Sequence, residues 1–230
     1  MSVIKVILFD LDNTLIDFMQ MKEAACKGAV LAMLKNGLKL NEDEAYQRLM
    51  KTYFSLGLES DRAFTEFLKQ EKQFNHKILA AAINAYLTTK TEFVHPYPNV
   101  KTTLRKLQEK GIILIILTDA PKTKAYQRLL AMNIEKYFNF VVGFEDTHQK
   151  KQTGLPLLFV LKRLREIRSD LHLKEILVVG DSVTRDLKPA KELGLKTALA
   201  IYGQRDQKQM VVDYKLKDIS ELLKIVSSSL

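Results

Sequence analysis

Two carboxylates, Asp10 and Asp12, stand where an apolar run ends and a polar turn begins. Side chains alternate along an extended chain, so both carboxylates are expected to point to the same side. Two like charges at this spacing repel, and each disfavours ionisation of the other. A fold accepts that cost when a cation lies between them or when they have different tasks. The pair therefore indicates a bound cation or a division of chemical roles.

Further polar groups follow each of the later apolar runs. They stand in chain order as Asp10, Asp12 and Thr14; Thr118 and Asp119; Lys150 and Lys151; and Gly180, Asp181 and Ser182, with Asp186 further on. In an open α/β sheet, ligands bind beyond the carboxyl ends of the strands. Four such groups in order are hard to attribute to chance, so they predict one common site.

The apolar runs that carry these groups are short and nearly continuous, as expected for parallel strands covered on both faces. They cover residues 3–9, 112–117, 140–142, 176–179 and 197–201. Helical patterns lie between them, at about 100–110, 123–132, 156–168 and 184–193. This alternation predicts an α/β fold, a doubly wound, Rossmann-like parallel sheet.

Residues 16–94 break this alternation. They contain no strand-like run, and their apolar residues recur at helical spacing. The pattern ends near His95-Pro96-Tyr97-Pro98, where two prolines predict a stiff hinge before the next helix. The sequence therefore predicts an α/β core domain of residues 1–15 and 95–230, with an inserted all-helical domain of residues 16–94.

Composition limits the cellular context. The apolar fraction of 47% supports a real core, and a single cysteine, Cys26, excludes an internal disulfide and a cysteine-only metal cluster. Met1-Ser2 leads almost at once into the first strand, which leaves no room for a signal peptide. The longest apolar run is far shorter than the ~20 residues that span a bilayer. We expect a cytoplasmic protein without a membrane partner.

The chain is basic, with 36 Lys+Arg against 27 Asp+Glu and a net charge of +9. The densest basic group, Lys162, Arg163, Arg165 and Arg168, lies on a predicted amphipathic helix without interleaved aromatic residues. We interpret most of this charge as solvated helix faces and do not expect nucleic acid as a partner. A non-catalytic protein that binds an anionic partner remains an alternative. With no sustained heptad or obvious apolar face, the chain is expected to be a monomer or a homodimer.

The polar groups resemble the motifs of the haloacid dehalogenase (HAD) superfamily, most of whose members are phosphatases. The first motif, Asp-x-Asp-x-Thr, is similar to residues 10–14, and the second, a strand ending in Thr or Ser, to residues 114–118. The third is a lysine, and the fourth, Gly-Asp-x-x-x-x-Asp, is similar to residues 180–186. The resemblance covers the whole chain, and the helical insert resembles the C1 cap of this superfamily.

Two positions depart from the family pattern. Position 119 is often Asn, whereas here it is Asp119, whose side chain is expected to face away from a phosphate. The family lysine is often followed by Pro-x-Pro, and that first proline is missing here. Aligning Pro156 with the later proline selects Lys151, while the adjacent Lys150 remains an alternative.

The resemblance implies a Mg²⁺-dependent phosphatase, a phosphoric monoester hydrolase acting on a small phosphorylated metabolite. Asp10 would attack phosphorus and form an aspartyl-phosphate. Asp12 would protonate the leaving alcohol and then deprotonate the attacking water. Relatives that cleave carbon–halogen bonds lack an acid at this position, so Asp12 argues for phosphoryl transfer. A sugar-phosphate mutase has both aspartates and stays open, as does a 2-haloacid dehalogenase.

The resemblance also implies how the ion and the phosphate are held. Mg²⁺ would be bound by the Asp10 carboxylate, the Asp12 backbone carbonyl and Asp181, with Asp186 in support or as a direct ligand. The Thr118 hydroxyl, the Asp119 backbone amide and Lys151 would bind the phosphate.

Overall fold

Six parallel strands form the sheet of the protein. The computed structural model describes residues 3–205 and 208–227. The strands are β1 Val6–Phe9, β2 Ile113–Leu117, β3 Phe140–Val142, β4 Ile176–Gly180, β5 Lys196–Ala200 and β6 Tyr214–Leu216. Their order is β3-β2-β1-β4-β5-β6, so β1 lies between β2 and β4. The predicted α/β parallel-sheet fold is confirmed.

The helices of the described chain follow the alternation that the sequence predicts. They are α1 Phe18–Lys35, α2 Glu42–Leu56, α3 Ala63–Gln70, α4 His76–Glu92, α5 Val100–Glu109, α6 Lys122–Ala131, α7 Leu155–Ile167, α8 Lys188–Glu192 and α9 Leu222–Ser227. The helix predicted at about 184–193 begins as a π-helical turn, Val183–Leu187, and continues as α8. In this turn Asp186 accepts the backbone N–H of Ser182 at 3.0 Å, which holds its carboxylate against the end of β4.

The core of the sheet explains why its strands are apolar on both faces. All four residues of β1 are buried, and so are all five of β4. One face packs Val6, Leu8 and Val178 against apolar side chains of α7 and α8. Strands covered on both sides cannot alternate polar with apolar residues, so polar groups appear only where each strand ends.

The chain divides into two compact units, Met1–Asp17 with His95–Leu230, and Phe18–Val94. In the second unit α1 packs along α4, and α2 and α3 contribute Leu49 and Phe67 to an apolar core of its own. Asparagine side chains cap two of its helices, Asn41 at α2 and Asn75 at α4.

Two findings concern the expected location of the protein. Within residues 3–205 and 208–227, no helix is both long and apolar enough to cross a membrane. Met1 and Ser2, on which the expectation of no signal peptide rests, lie outside the described residues.

Candidate active site

Adjacent strands bring the predicted residues to one edge of the sheet. Asp10, Thr118 and Asp181 each come directly after a strand, and these strands, β1, β2 and β4, are neighbours. The hydrogen bonds of the sheet continue one residue beyond β1 and β2. The Asp10 N–H donates to the Val179 carbonyl at 2.9 Å, and the Thr118 N–H donates to the Val142 carbonyl at 3.0 Å. The backbone of the first site residues is thus fixed by the sheet itself.

The turn after β1 folds back onto Asp10. The N–H groups of Thr14, Leu15 and Ile16 all donate to the Leu11 carbonyl, and Asn13 adopts a left-handed conformation with φ 62°. Asparagine tolerates this conformation better than most residues. The turn places the Thr14 hydroxyl 3.0 Å from the Asp10 carboxylate, to which it donates a hydrogen bond.

Lys151 lies among the carboxylates, whereas Lys150 is exposed at the surface. The Lys151 ammonium contacts Asp10 and lies 2.5 Å from Asp186. Its backbone N–H donates to the Asp119 carboxylate at 2.7 Å, so the Asp119 side chain holds the turn that carries the lysine. Burial by itself would lower the pKa of Lys151, but the charges of Asp10 and Asp186 raise it above its ordinary value.

Three buried carboxylates, Asp10, Asp181 and Asp186, each have an oxygen within 4.8 Å of the others. Burial and the neighbouring Asp10 and Asp186 charges raise the pKa of Asp181 to about 8, although the half-exposed Arg185 lies 3.2 Å away. Burial also raises the pKa of Asp186. Both shifts mark an excess of buried negative charge. A hard divalent cation with oxygen ligands would relieve that excess, so the donor set fits Mg²⁺.

Asp12 has a different partner from Asp10. Its carboxylate accepts a hydrogen bond at 3.1 Å from the guanidinium of Arg128, a buried residue of α6. The sequence reasoning assigned Arg128 no role. A signal was present, because at helical spacing Arg128 falls on the same face as the apolar Ala125 and Leu129, where a charge is unexpected.

The Thr118 hydroxyl, predicted to bind phosphate, accepts the backbone N–H of Ala120 at 3.1 Å. This bond occupies one lone pair of the Thr118 hydroxyl oxygen and leaves the hydroxyl proton available to an acceptor. Thr118 therefore lies at the end of β2, the strand next to β1, with its side-chain oxygen fixed by this bond.

This edge of the α/β sheet, with its carboxylates, one buried lysine and a threonine, is suited to a hydrolase, and the sequence comparisons show the family. The haloacid dehalogenase-like hydrolase family matches residues 7–200, and the chain belongs to this family. A glyceraldehyde 3-phosphate phosphatase of Methanocaldococcus jannaschii is 32% identical over 228 residues, with 98% of each chain covered. A phosphoglycolate phosphatase of Aquifex aeolicus is 30% identical, with 97% of each chain covered.

Solved structures share the fold. A HAD phosphatase from Thermococcus onnurineus superposes with a TM-score of 0.70 at 22% identity, covering 97% of this chain and 98% of that chain. The recognition of the HAD superfamily is confirmed, and the sequence relatives confirm the predicted enzyme class, a phosphatase of this family. The names of these relatives give different substrates, so the class is common to them and the substrate is not.

Proposed function

We propose that the protein is a Mg²⁺-dependent phosphatase that hydrolyses a small phosphomonoester through an aspartyl-phosphate on Asp10. The observation that carries this proposal is the setting of Asp10, a buried carboxylate held by the Thr14 hydroxyl and the Lys151 ammonium. A carboxylate can attack phosphorus without a base to activate it. The same lysine supports charge as it develops on the phosphoryl oxygens.

The proposed reaction has two steps. An Asp10 oxygen bonds to phosphorus while the bond from phosphorus to the substrate alcohol breaks, and Asp12 gives its proton to the departing alkoxide. Water then attacks the phosphorus of the aspartyl-phosphate, Asp12 takes a proton from that water, and phosphate leaves Asp10. Lys151, Thr118 and the Asp119 backbone amide bind the phosphoryl oxygens in both steps.

The residues that would hold Mg²⁺ are the Asp10 carboxylate, the Asp12 backbone carbonyl and Asp181. The Asp186 carboxylate already contacts Lys151 and the Ser182 N–H, which suits a supporting role more than a direct one. When bound, Mg²⁺ would offset the mutual repulsion of these carboxylates and the phosphate dianion. The arrangement explains why a fold tolerates three buried acids at one place.

We further propose that the helical residues 16–94 act as a cap on a core of residues 1–15 and 95–230, and that the cap selects the substrate. Closure of a cap excludes bulk water during the first step, in which Asp10 is the acceptor, and holds the substrate in place. The relatives are named for glyceraldehyde 3-phosphate and phosphoglycolate, both small phosphomonoesters. A small phosphorylated metabolite of this kind is the substrate class that we expect. A cytoplasmic location and a monomeric or homodimeric state remain predictions from the sequence.

The nucleophile is tested with Asp10→Asn, assayed on p-nitrophenyl phosphate beside Asp43→Asn. Asp43 is an exposed carboxylate of α2 and serves as the matched control. We expect Asp10→Asn to lose about 10³-fold or more in kcat, Asp43→Asn to lose nothing, and both to keep the far-UV circular dichroism of the wild type. Substantial turnover by a folded Asp10→Asn would exclude Asp10 as the nucleophile.

The metal and the reaction class need separate measurements. EDTA should abolish activity and added Mg²⁺ should restore it, whereas hydrolysis that persists in EDTA would exclude the proposed site. A panel of phosphorylated metabolites should show release of inorganic phosphate. Isomerised sugar phosphate without phosphate release would favour a mutase, and halide released from 2-haloacids would favour a dehalogenase.

A further inference from the structure

Helix α6 buries a charged residue and exposes an apolar one. Arg128 is 1% exposed and is among the largest fully buried side chains, whereas Leu130, two residues on, is 63% exposed. Ala125 and Leu129, on the same inner face as Arg128, are completely buried. A buried guanidinium costs several kcal/mol in desolvation unless it is paired. A charge on the inner face of a helix therefore calls for an explanation in its contacts.

The contact is with Asp12. Nη1 of Arg128 lies 3.1 Å from Oδ2 of Asp12, while the Asp12 side chain keeps 20% of its surface exposed. Arg128 thus binds Oδ2 of Asp12 from the protein interior, and Oδ1 of the same carboxylate is buried as well. A rigid guanidinium plane orients a carboxylate more firmly than the flexible ammonium of lysine.

The Arg128 contact bears on where the Asp12 carboxylate points. Asp12 begins the turn after β1, and two residues before it Asp10 belongs to the cluster around Lys151. The cations of that cluster attract a second carboxylate as well, and the contact with Arg128 competes with that attraction. Proton transfer needs a donor within hydrogen-bond reach of the leaving oxygen, and a misplacement of 1 Å costs on the order of 10²-fold in rate.

We propose that Arg128 is a positioning residue, which holds the Asp12 carboxylate away from the carboxylate cluster and toward the leaving-group oxygen of the substrate. The inference rests on the proposed function, since it assigns Asp12 the role of the acid. In this role Arg128 acts through Asp12 and not on the phosphate directly. Its loss is therefore expected to affect substrates according to how much their leaving group needs a proton.

Two substrates of similar size distinguish a positioning role of Arg128 from a purely structural role. Phenyl phosphate has a poor leaving group that needs protonation, whereas p-nitrophenolate departs readily without it. The quantity to compare is kcat/KM, because it reports the steps up to departure of the leaving group and not the later hydrolysis of the aspartyl-phosphate. For Arg128→Met we expect a loss of about 10²-fold on phenyl phosphate and a loss at least about tenfold smaller on p-nitrophenyl phosphate.

Three further variants complete the experiment. Arg128→Lys should recover part of the phenyl phosphate activity, and Arg128→Met combined with Asp12→Asn should lose no more than Asp12→Asn alone. Leu130→Ala, on the same helix, is the control and should match the wild type on both substrates. If Arg128→Met fails to fold, Arg128→Lys is compared with the wild type instead. It keeps a buried cation, while the shorter lysine side chain weakens the contact with Asp12.

The outcomes distinguish the two proposals. A wild type that hydrolyses neither ester contradicts the proposed function. An active wild type whose Arg128 variants lose equally on both esters, or whose losses add to that of Asp12→Asn, overturns the positioning role alone. A selective and non-additive loss supports it.

Discussion

Two lysines are buried among the residues that the structure describes, and their surroundings differ. Lys151, in the α/β unit, contacts the carboxylates of Asp10 and Asp186. Lys22, in α1 of the helical unit, is equally buried, but its ammonium lies 3.4 Å from the centre of the Tyr53 ring and donates to the Tyr86 hydroxyl at 3.0 Å. One cation is surrounded by charges and the other by aromatic rings.

The comparison shows that a buried charge marks a reactive site only through what surrounds it. The carboxylates around Lys151 form a strongly polar cluster with which a phosphate and a metal ion can interact. Aromatic faces around Lys22 stabilise the cation through the ring quadrupole and link α1 to α2 and α4. We therefore expect Lys151 to matter for turnover and Lys22 to matter for the stability of the helical unit.

The strongest test of this contrast is the pair Lys151→Met and Lys22→Met. Removing the Lys151 charge takes a donor from the phosphate and leaves Asp10 and Asp186 uncompensated, so kcat on p-nitrophenyl phosphate should fall by about 10³-fold. Lys22→Met should stay within about tenfold of the wild type in kcat, because it removes a cation–π contact with Tyr53 and a hydrogen bond to Tyr86, both inside the helical unit. An equal loss of kcat in the two folded variants would contradict the contrast.

A second pair of substitutions compares how tightly the two units are packed. A Cβ on Gly203 would overlap the backbone carbonyl of Asn13 in the turn that carries Asp12 and Thr14, and backbone cannot move aside cheaply. Gly203→Ala should therefore lower the free energy of unfolding by about 3 kcal/mol. Gly28→Ala, inside α1, meets only the Thr89 side chain, and the gain in helix propensity of about 1 kcal/mol offsets that contact.

Urea denaturation of both alanine variants measures these changes. A Gly203→Ala protein as stable as the wild type would show that the turn after β1 can shift, and that the C-terminal segment does not fix the site loop. The accompanying activity assay then reports whether the shift reaches Asp12.

Much of the fold and of the candidate site could be predicted from the sequence, for reasons that differ from one residue to the next. Five strands were predictable because strands buried on both faces form continuous apolar runs, whereas β6, Tyr214–Leu216, pairs only with β5, at the edge of the sheet, and has an exposed Lys215 at its centre. The placement of the candidate residues at one edge of the sheet was predictable because Asp10, Thr118 and Asp181 follow strand ends, whereas their roles stay predictions. Arg128 and Lys22 were not assigned, because helical periodicity predicts which face is buried but not which neighbour compensates a charge on it.

Cys26 allows the helical unit to be probed on its own, since it is the single cysteine of the chain and is completely buried. Burial raises the pKa of its thiol to about 11 from 9.0, a shift that the nearby Lys22 charge only partly offsets. At pH 8 the reactive thiolate is then about 10²-fold scarcer than for an ordinary thiol. Labelling by a disulfide reagent should be at least that much slower in buffer than in urea.

The same measurement sharpens the role of Lys22. Lys22→Met should speed the labelling of Cys26, one turn away on α1, because the loosened core exposes the thiol, and this gain should outweigh the loss of the Lys22 charge, which lowers the pKa of the thiol. Lys151→Met, in the other unit, is the control and should leave the labelling rate unchanged. Rapid labelling of the wild-type protein would contradict the burial of Cys26.

The smallest expected effect concerns two residues that cap the N-termini of helices, one residue in each unit. Asp218 accepts the Ser220 N–H at 2.8 Å and the Asn99 side-chain amide at 3.0 Å, and these bonds, that from Ser220 first, lower the pKa of Asp218 below its ordinary value. The helical unit uses a neutral cap instead, in which Asn75 accepts the Lys77 N–H at 2.8 Å. Replacing either cap by alanine should cost about 1 kcal/mol at pH 7.

Acid should separate these two caps. Because the pKa of Asp218 is lower in the folded chain than in the unfolded one, its stabilisation is present at neutral pH and is lost as the pH falls through the folded value. The difference in unfolding free energy between the wild type and Asp218→Ala should therefore shrink as the pH falls below 3.8, the ordinary value for this carboxyl. The difference for Asn75→Ala should stay constant over the same acid range, because an amide does not titrate. Equal pH dependence of the two differences would show that the charge of Asp218 contributes nothing beyond the hydrogen bond that a neutral cap provides.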